Sequence, residues 1–332
     1  MTLVRAELER FRHRAVLWLI AGLLLLAATG YAILAWSHTT PPSAGDIAAA
    51  QQLYDNSEQE IADMNARFIP KCEAANAAAV EAGEKSTFDC TPLERPPVES
   101  YLPMRPEFAQ TASDAVAGIS IPAMVAALAM GVSFVTAEFG SGSMGTWLTF
   151  VPRRTRVVRS KTAAAALGAF PAALAAFVVT VLGMALVYAL RGLPMGDVAV
   201  WASLGRTIFP VLAAVLVAAV LGAGLGFAVR HAAAVAGIVA WWVVAVEVTL
   251  PEVMPIVTPA TIGFNLRAWL HGSAQYVTER CVVDPTAKVP GTQKCTEIYH
   301  TVGATQGGLV VLAFTAVVLG IGTFAFRRRD VA

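Results

Sequence analysis

Long apolar stretches alternate with short charged ones along this chain. Five stretches contain no Asp, Glu, Lys or Arg, and a sixth contains one acid; they are residues 15–37, 115–137, 162–190, 207–229, 232–250 and 301–326. A mostly apolar stretch of about 18 or more residues can cross ~30 Å of hydrocarbon as a helix that satisfies its own backbone hydrogen bonds. The pattern therefore predicts an all-α membrane protein with six transmembrane helices.

The composition agrees with this interpretation. Hydrophobic residues make up 56% of the 332 positions and charged residues only 14%, with a mean hydropathy of +0.61. Soluble domains carry roughly a quarter charged residues. The net charge of +1 gives no reason to expect a nucleic-acid partner.

The distribution of basic residues predicts the orientation. Thirteen of the 24 lie at one set of span ends: Arg5, Arg10, Arg12, Arg14, Arg153, Arg154, Arg156, Arg159, Lys161, Arg230 and Arg327–Arg329. Basic residues near span ends favour the cytoplasmic side. Both termini are therefore predicted to be cytoplasmic, with a short interfacial helix ahead of the first span.

Two polar segments, 38–114 and 251–300, then lie outside the cell and hold all four cysteines. Helical spacing of apolar residues in 38–114 predicts a small helical hairpin, with a first helix to about Phe68 and a second from about Cys72 to Glu81. Four cysteines permit three pairings. Closeness in sequence favours Cys72–Cys90 and Cys281–Cys295, and the spacing does not suit zinc, so no metal site is expected.

No motif indicates catalysis. The segment Gly83–Thr87 lacks the glycines that a phosphate-binding loop needs before its lysine, and the glycine–serine turn 140–145 lacks the base and oxyanion hole of a serine hydrolase. No catalytic residue is therefore expected in this chain.

One acid lies within an apolar span. Glu247 follows Trp241 and Trp242 near the predicted external end of the fifth span. An intramembrane acid is a functional candidate because burying it unpaired is costly. These three residues are candidates for a transport path, although Glu247 at that depth is also explained by simple solvation.

The connector 138–162 carries the most specific pattern. An acid leads out of span two, glycines follow, and an amphipathic insert over residues 146–151 precedes a proline and a basic cluster. The matching residues are Glu138, Phe139, Gly145, Thr146, Leu148, Pro152, Arg153, Arg154 and Lys161. This pattern resembles the cytoplasmic loop of ABC-2-type transporter permeases, and the proline-broken segment 250–272 is similar to the re-entrant external helices of that family.

The resemblance implies an ABC-2 (type V exporter-like) fold with this division: 1–37, interfacial helix and first span; 38–114, external helical hairpin; 115–250, spans two to five with coupling loop 138–162; 251–300, external re-entrant segment; 301–332, sixth span and basic tail. Glu138 and the helix at Gly145–Pro152 are then expected to transmit motion from an ATPase. Arg153 and Arg154 are expected to contact that ATPase or lipid phosphates.

The function implied is that of a permease in the bacterial cytoplasmic (inner) membrane, exporting a lipid-like, amphipathic or peptide substrate. The expected partners are two ABC ATPase subunits, a second permease in a homodimer or related heterodimer, and membrane lipid. ATP and magnesium belong to the ATPase, so no cofactor is expected here. The alternative is a scaffold or signalling protein whose external segment binds a partner.

Overall fold

The apolar stretches form helices in a computed structural model, which describes residues 3–83, 88–283 and 293–329. Within these residues, six helices are long and apolar enough to cross a membrane. The elements are α1 Leu3–Arg12, α2 Ala15–His38, α3 Ala44–Glu81, α4 Phe108–Gly140, α5 Ser143–Phe150, α6 Arg154–Leu190, α7 Val198–Val229, α8 Ala232–Trp242, α9 Leu250–Val253, α10 Ile262–His271, β1 Ser273–Val283, β2 Gln293–Gly303 and α11 Ala304–Arg328. The predicted six-span architecture is confirmed. The spans are α2, α4, α6, α7, the run from α8 to α9, and α11.

Glycines bring the central helices into backbone contact. A Cβ atom on Gly222 of α7 would lie 2.1 Å from the carbonyl oxygen of Leu128 in α4, and one on Gly131 of α4 would lie 2.2 Å from the carbonyl oxygen of Ala219. On another face of α7, a Cβ on Gly322 of α11 would lie 2.3 Å from the carbonyl oxygen of Gly224. Small residues permit this close approach where no hydrophobic effect drives helices together. These close contacts join α7 to α4 and to α11, while the buried core of the larger unit is formed mainly by α4, α6 and α7.

Two of the spans are peripheral. In the most apolar 18-residue stretch of α4, half of the residues are buried. The corresponding share is only 17% in α2 and 6% in the α8–α9 span. Their exposed side chains are apolar, as in Leu23, Leu26 and Trp241. These faces suit lipid or another membrane helix.

The chain divides into two compact units, Met1–Ala35 with Phe108–Ala332, and Trp36–Glu107. In the smaller unit the structure differs from the predicted hairpin, because α3 is one helix that passes through Pro70 without a break. Pro70 is solvent-exposed, so water can satisfy the carbonyl that loses its amide partner. Ser43 and Asp46 form a reciprocal capping box at the start of α3.

An extended segment, residues 88–107, returns along α3. The Asn65 side chain exchanges two hydrogen bonds with the backbone of Leu93, at 2.8 and 3.1 Å. Arg95 lies over the Tyr54 ring and pairs with Glu58 at 3.3 Å. The return is therefore fixed by polar contacts and by one disulfide, without a large apolar core.

The segment between the fifth and sixth spans contains an element that the periodicity did not predict. After the short helix α10, strands β1 and β2 pair antiparallel from Ser273↔Gly303 to Val283↔Gln293. The second strand occupies the start of the predicted sixth span, so α11 begins at Ala304 rather than at residue 301.

Both predicted disulfides are present. Cys72 on α3 is bonded to Cys90 on the return, and Cys281 to Cys295 directly across the β-hairpin. The sulfurs of the second pair lie near the carboxylate of Glu279, but cysteines in a disulfide offer no thiolate to a metal. Residues 84–87 of the rejected phosphate-loop motif, and 330–332 of the predicted tail, lie outside the described residues.

Candidate functional site

The loop between α4 and α6 forms a short helix mounted on the end of the bundle. Gly142 adopts a left-handed backbone conformation (φ 69°) that turns the chain from α4 into α5. The helix α5 ends at Phe150, just before Pro152, and α6 begins at Arg154. A short helix is therefore present where the sequence predicted one over residues 146–151, and it starts three residues earlier.

One face of α5 is anchored in the bundle. Met144 is completely buried, and Trp147 and Leu148 pack against the core. The guanidinium of Arg10 in α1 lies 4.0 Å from the centre of the Trp147 ring, a cation–π contact. Displacement of α5 would therefore move both the core and α1.

The opposite face of α5 is open. Ser143, Thr146 and Thr149 are exposed, and Phe150 at the end of the helix is 76% exposed. An exposed phenylalanine beside a polar helical face is a typical contact for a protein partner, where aromatic residues are enriched.

A buried ionic cluster lies behind α5, where α1, α4 and α6 meet. Lys161 of α6 is fully buried and places its ammonium 2.6 Å from Oε1 of Glu138 and 2.8 Å from Oε2 of Glu7. Glu7 is also fully buried and Glu138 is 2% exposed. One lysine thus joins the N-terminal helix to the ends of spans two and three.

Two arginines complete this cluster. Arg14 approaches Glu138 Oε1 at 3.4 Å, and Arg10 lies 3.7 Å from Glu138 and 3.8 Å from Glu7. Burial lowers the pKa of Arg14, and the charges of Glu138 and Glu7 oppose that shift. An arginine starts from so high a pKa that it stays charged, so three cations here face two carboxylates.

A second cluster holds α11 against the same end of the bundle. It consists of packed aromatic rings and of an arginine that donates hydrogen bonds to backbone carbonyls. Phe139 lies edge-on to Phe227 and Phe326 at 6.3 and 5.9 Å. Arg154 donates hydrogen bonds to the carbonyls of Phe326 and Arg329, at 2.7 and 2.8 Å. Arg154 therefore satisfies carbonyls that are left free at the end of α11.

The structure thus brings the predicted coupling residues to one end of the bundle but gives them different positions. Glu138 and Phe139 are internal, and Leu148 faces the core. Thr146, Pro152 and Arg153 are exposed, and Gly145 is half-buried. Sequence reasoning did not identify Glu7, although its spacing of three from Val4 and four from Phe11 places it on the apolar face of α1.

Glu247 lies in a different part of the larger unit and is tied to the backbone. It belongs to a π-helical turn, Val243–Thr249, and accepts hydrogen bonds from the Trp242 indole (2.9 Å) and from the amides of Ile262 (3.0 Å) and Gly263 (2.7 Å). These amides are at the start of α10, where free N–H groups and the helix dipole favour an anion. Glu247 therefore caps the start of α10.

An apolar cavity of about 320 Å³ lies next to this carboxylate. It is bounded by α4, α7, α8, α10 and α11, and its lining includes Trp242, Glu247 and Phe314. Trp241 is 65% exposed on the outer face of α8 and does not line this cavity. The structure thus brings together two of the three predicted transport-path residues.

A protein-family model described as "ABC-2 family transporter protein" matches residues 1–331 of the chain. No curated protein matches the chain. The family match covers both compact units, the loop that contains α5, and the re-entrant segment.

Proposed function

The chain belongs to the ABC-2 family of transporter proteins, and on this premise we propose that it is the permease subunit of an ATP-binding cassette exporter. It is a multi-pass membrane protein and a transport component. ATP hydrolysis is assigned to a separate nucleotide-binding subunit. The observation that carries the proposal is α5, a short helix with one face anchored on a buried ionic cluster and the other face open.

Motion of an ATPase would enter the permease through the open face. Thr146 and Phe150 are the proposed contacts, with Arg153 beside them on the loop. The anchored face passes the displacement to Arg10 through Trp147, and from there to Glu7 and Glu138. Because Lys161 joins both carboxylates, spans two and three would move together with α1.

The basic residues support a cytoplasmic location for this end of the bundle. The cluster residues Arg10 and Arg14, the loop residue Arg153 and the end of α11 at Arg327 all lie at the same set of span ends. Basic residues near span ends favour the cytoplasmic side. The proposed location is the inner membrane of a bacterium, with both disulfides on the oxidising side.

The cavity beside Glu247 favours an amphipathic or lipid-like substrate. Its lining is almost wholly apolar, and its one carboxylate is already engaged by two amides and an indole. A peptide substrate would need apolar side chains to use the same cavity. Export, rather than import, is proposed from the family resemblance.

The exposed faces of α2 and α8 are the proposed contacts with a second permease, identical or related. Ala234, Ala236 and Gly237 are exposed on α8, where small side chains permit close helix approach. Two permeases would then carry two ATPase subunits.

The test is co-purification from mild detergent with a tag on the full chain, comparing wild type with Phe150→Asp. The proposal predicts that an ABC ATPase accompanies the wild type and is lost in Phe150→Asp. The matched control is Phe88→Asp, because Phe88 is also exposed (58%) but belongs to the other compact unit. Absence of an ATPase from the wild-type sample would reject the proposal in favour of a scaffold or signalling protein that acts through its external unit.

A further inference from the structure

An open groove with a volume of about 670 Å³ lies between α6 and α11. Small side chains form its walls, with Ala163 and Ala166 on α6, and Ala316 and Gly320 on α11. Val220 of α7 also lines it. The groove is apolar over most of its length and is distinct from the cavity beside Glu247.

The packing of the helices explains the groove. Both α6 and α11 pack extensively against α7, but they scarcely contact each other. No atom lies within 4 Å of a Cβ built on Gly320, so this glycine leaves open space rather than a close helix contact. The result is a narrow cleft on the outer, membrane-facing side of a six-span bundle.

Two arginines line the cleft together with the apolar walls. Arg159 lies one turn before the uncharged part of α6, and Arg327 directly follows the uncharged part of α11. Both are therefore at the same water–hydrocarbon boundary, where arginine stems lie along apolar surface and the guanidinium groups reach the headgroups.

These guanidinium groups have no anion of their own in the cleft. Neither one forms an ion pair with a side chain in residues 3–83, 88–283 or 293–329, and no Asp or Glu lines the groove. A guanidinium is a planar fork of donors that binds a phosphate by two parallel hydrogen bonds. The cleft thus offers an acyl-chain surface that ends in a site for phosphate.

We propose that this groove binds an anionic phospholipid, with its phosphate on Arg159 and Arg327 and an acyl chain along Ala163, Ala166 and Gly320. A zwitterionic lipid fits less well, because its amine would approach the same two guanidinium groups. The bound lipid bridges α6, which leads out of the α5 loop, to α11. This inference rests on the membrane-spanning bundle alone and does not require the proposed transport partner.

The test is native mass spectrometry of the purified full chain, titrated with phosphatidylglycerol or phosphatidylcholine of identical acyl chains. The wild type is expected to retain phosphatidylglycerol preferentially. Each of Arg159→Gln and Arg327→Gln should weaken that preference about fivefold, and the double variant about 25-fold, because a basic residue near an anionic lipid surface contributes about one such factor. Replacing both arginines with lysine keeps the charges but removes the paired donors, so the preference should fall to a value between those of the wild type and the double Gln variant.

The apolar wall is tested by Gly320→Leu, whose Cβ would meet no atom within 4 Å and whose side chain should occupy the cleft and reduce retention of both lipids at this site. Two control variants should behave like the wild type. Arg156→Gln removes the same charge from α6 but does not line the groove, and Gly205→Leu adds the same side chain at another open glycine. Equal retention of the two lipids by the wild type, or unchanged retention by Gly320→Leu, would overturn the proposal.

Discussion

Replacing Lys161 with methionine removes the fully buried ammonium that lies 2.6 Å from Glu138 and 2.8 Å from Glu7, closer to each carboxylate than Arg10 does. The two side chains have similar lengths, so the change deletes charge with little change in volume. Glu138 keeps Arg14 at 3.4 Å and Arg10 at 3.7 Å. Glu7 loses more, because Lys161 donates the hydrogen bond to its Oε2. Its Oε1 accepts no hydrogen bond from any described residue.

The magnitude follows from leaving Glu7 buried and poorly paired. Removing one partner of a buried ion pair typically costs about 3–5 kcal/mol of stability. Because Glu7 keeps its contact with Arg10 at 3.8 Å, we expect Lys161→Met to lower the free energy of unfolding by about 3 kcal/mol. Glu7→Leu should cost less, since Lys161 keeps Glu138 at 2.6 Å. The double variant should recover about 1–3 kcal/mol relative to the sum of the single changes, as expected for residues in direct contact.

The assay is heat denaturation in detergent, followed by tryptophan fluorescence and compared at one scan rate, because membrane proteins often unfold irreversibly. The midpoint of Glu7→Leu is expected between those of the wild type and Lys161→Met, and the double variant Glu7→Leu/Lys161→Met should melt higher than the sum of the two single losses predicts. Lys161→Arg, which keeps the charge, is the control. A midpoint for Lys161→Met equal to that of the wild type, or no recovery in the double variant, would refute the account of the cluster.

Three further predictions concern the rest of the fold. Gly222→Ala should destabilise the bundle by about 1–3 kcal/mol, because its Cβ would lie 2.1 Å from a backbone carbonyl oxygen of α4. Gly205→Ala should be neutral or slightly stabilising, because no atom lies within 4 Å of its Cβ. The denaturation midpoints of the two variants test this prediction. The variant Cys72→Ser/Cys90→Ser should lose about 3 kcal/mol of loop-closure stabilisation in the smaller unit. Limited proteolysis should therefore cut residues 88–107 faster, and an unchanged cleavage rate would contradict this prediction. The hydroxyl and amide of Ser43 donate hydrogen bonds to Asp46 and lower its pKa. The cap therefore stabilises α3 fully above the usual carboxyl pKa, and this stabilisation is lost as the pH falls through the lowered pKa. Hydrogen exchange in the first turn of α3 should become faster at that pH in the wild type but not in Asp46→Asn.

The six spans were predictable because an uncharged stretch of sufficient length has few alternatives in a membrane. The local disulfides were predictable because each cysteine pair is close in sequence. By contrast, the strands β1 and β2 are exposed on both sides over much of their length, so no buried face imposes a clear alternation of apolar and polar residues. The continuous α3 was missed because Pro70 is tolerated where its freed carbonyl faces water.

The ionic cluster was beyond sequence reasoning for a different reason. Glu7 and Lys161 are 154 positions apart, and only the packing of α1 on α6 brings them together. That packing depends on Phe11, which lies against Gly168 at a point where a Cβ would come within 2.6 Å of its ring. The sequence predicted the helices and showed which charged residues lie near their ends. It did not show which of these charges would come into contact.

Photo-crosslinking from position 150 tests the central claim most directly. A photo-reactive phenylalanine in place of Phe150, in the full chain in its native membrane, is predicted to capture an ABC ATPase, with a yield that changes when ATP is added. The same substitution at Phe88 should capture none. Failure to crosslink from position 150, while the ATPase still co-purifies with that variant, would show that α5 is not the contact and would contradict the coupling mechanism.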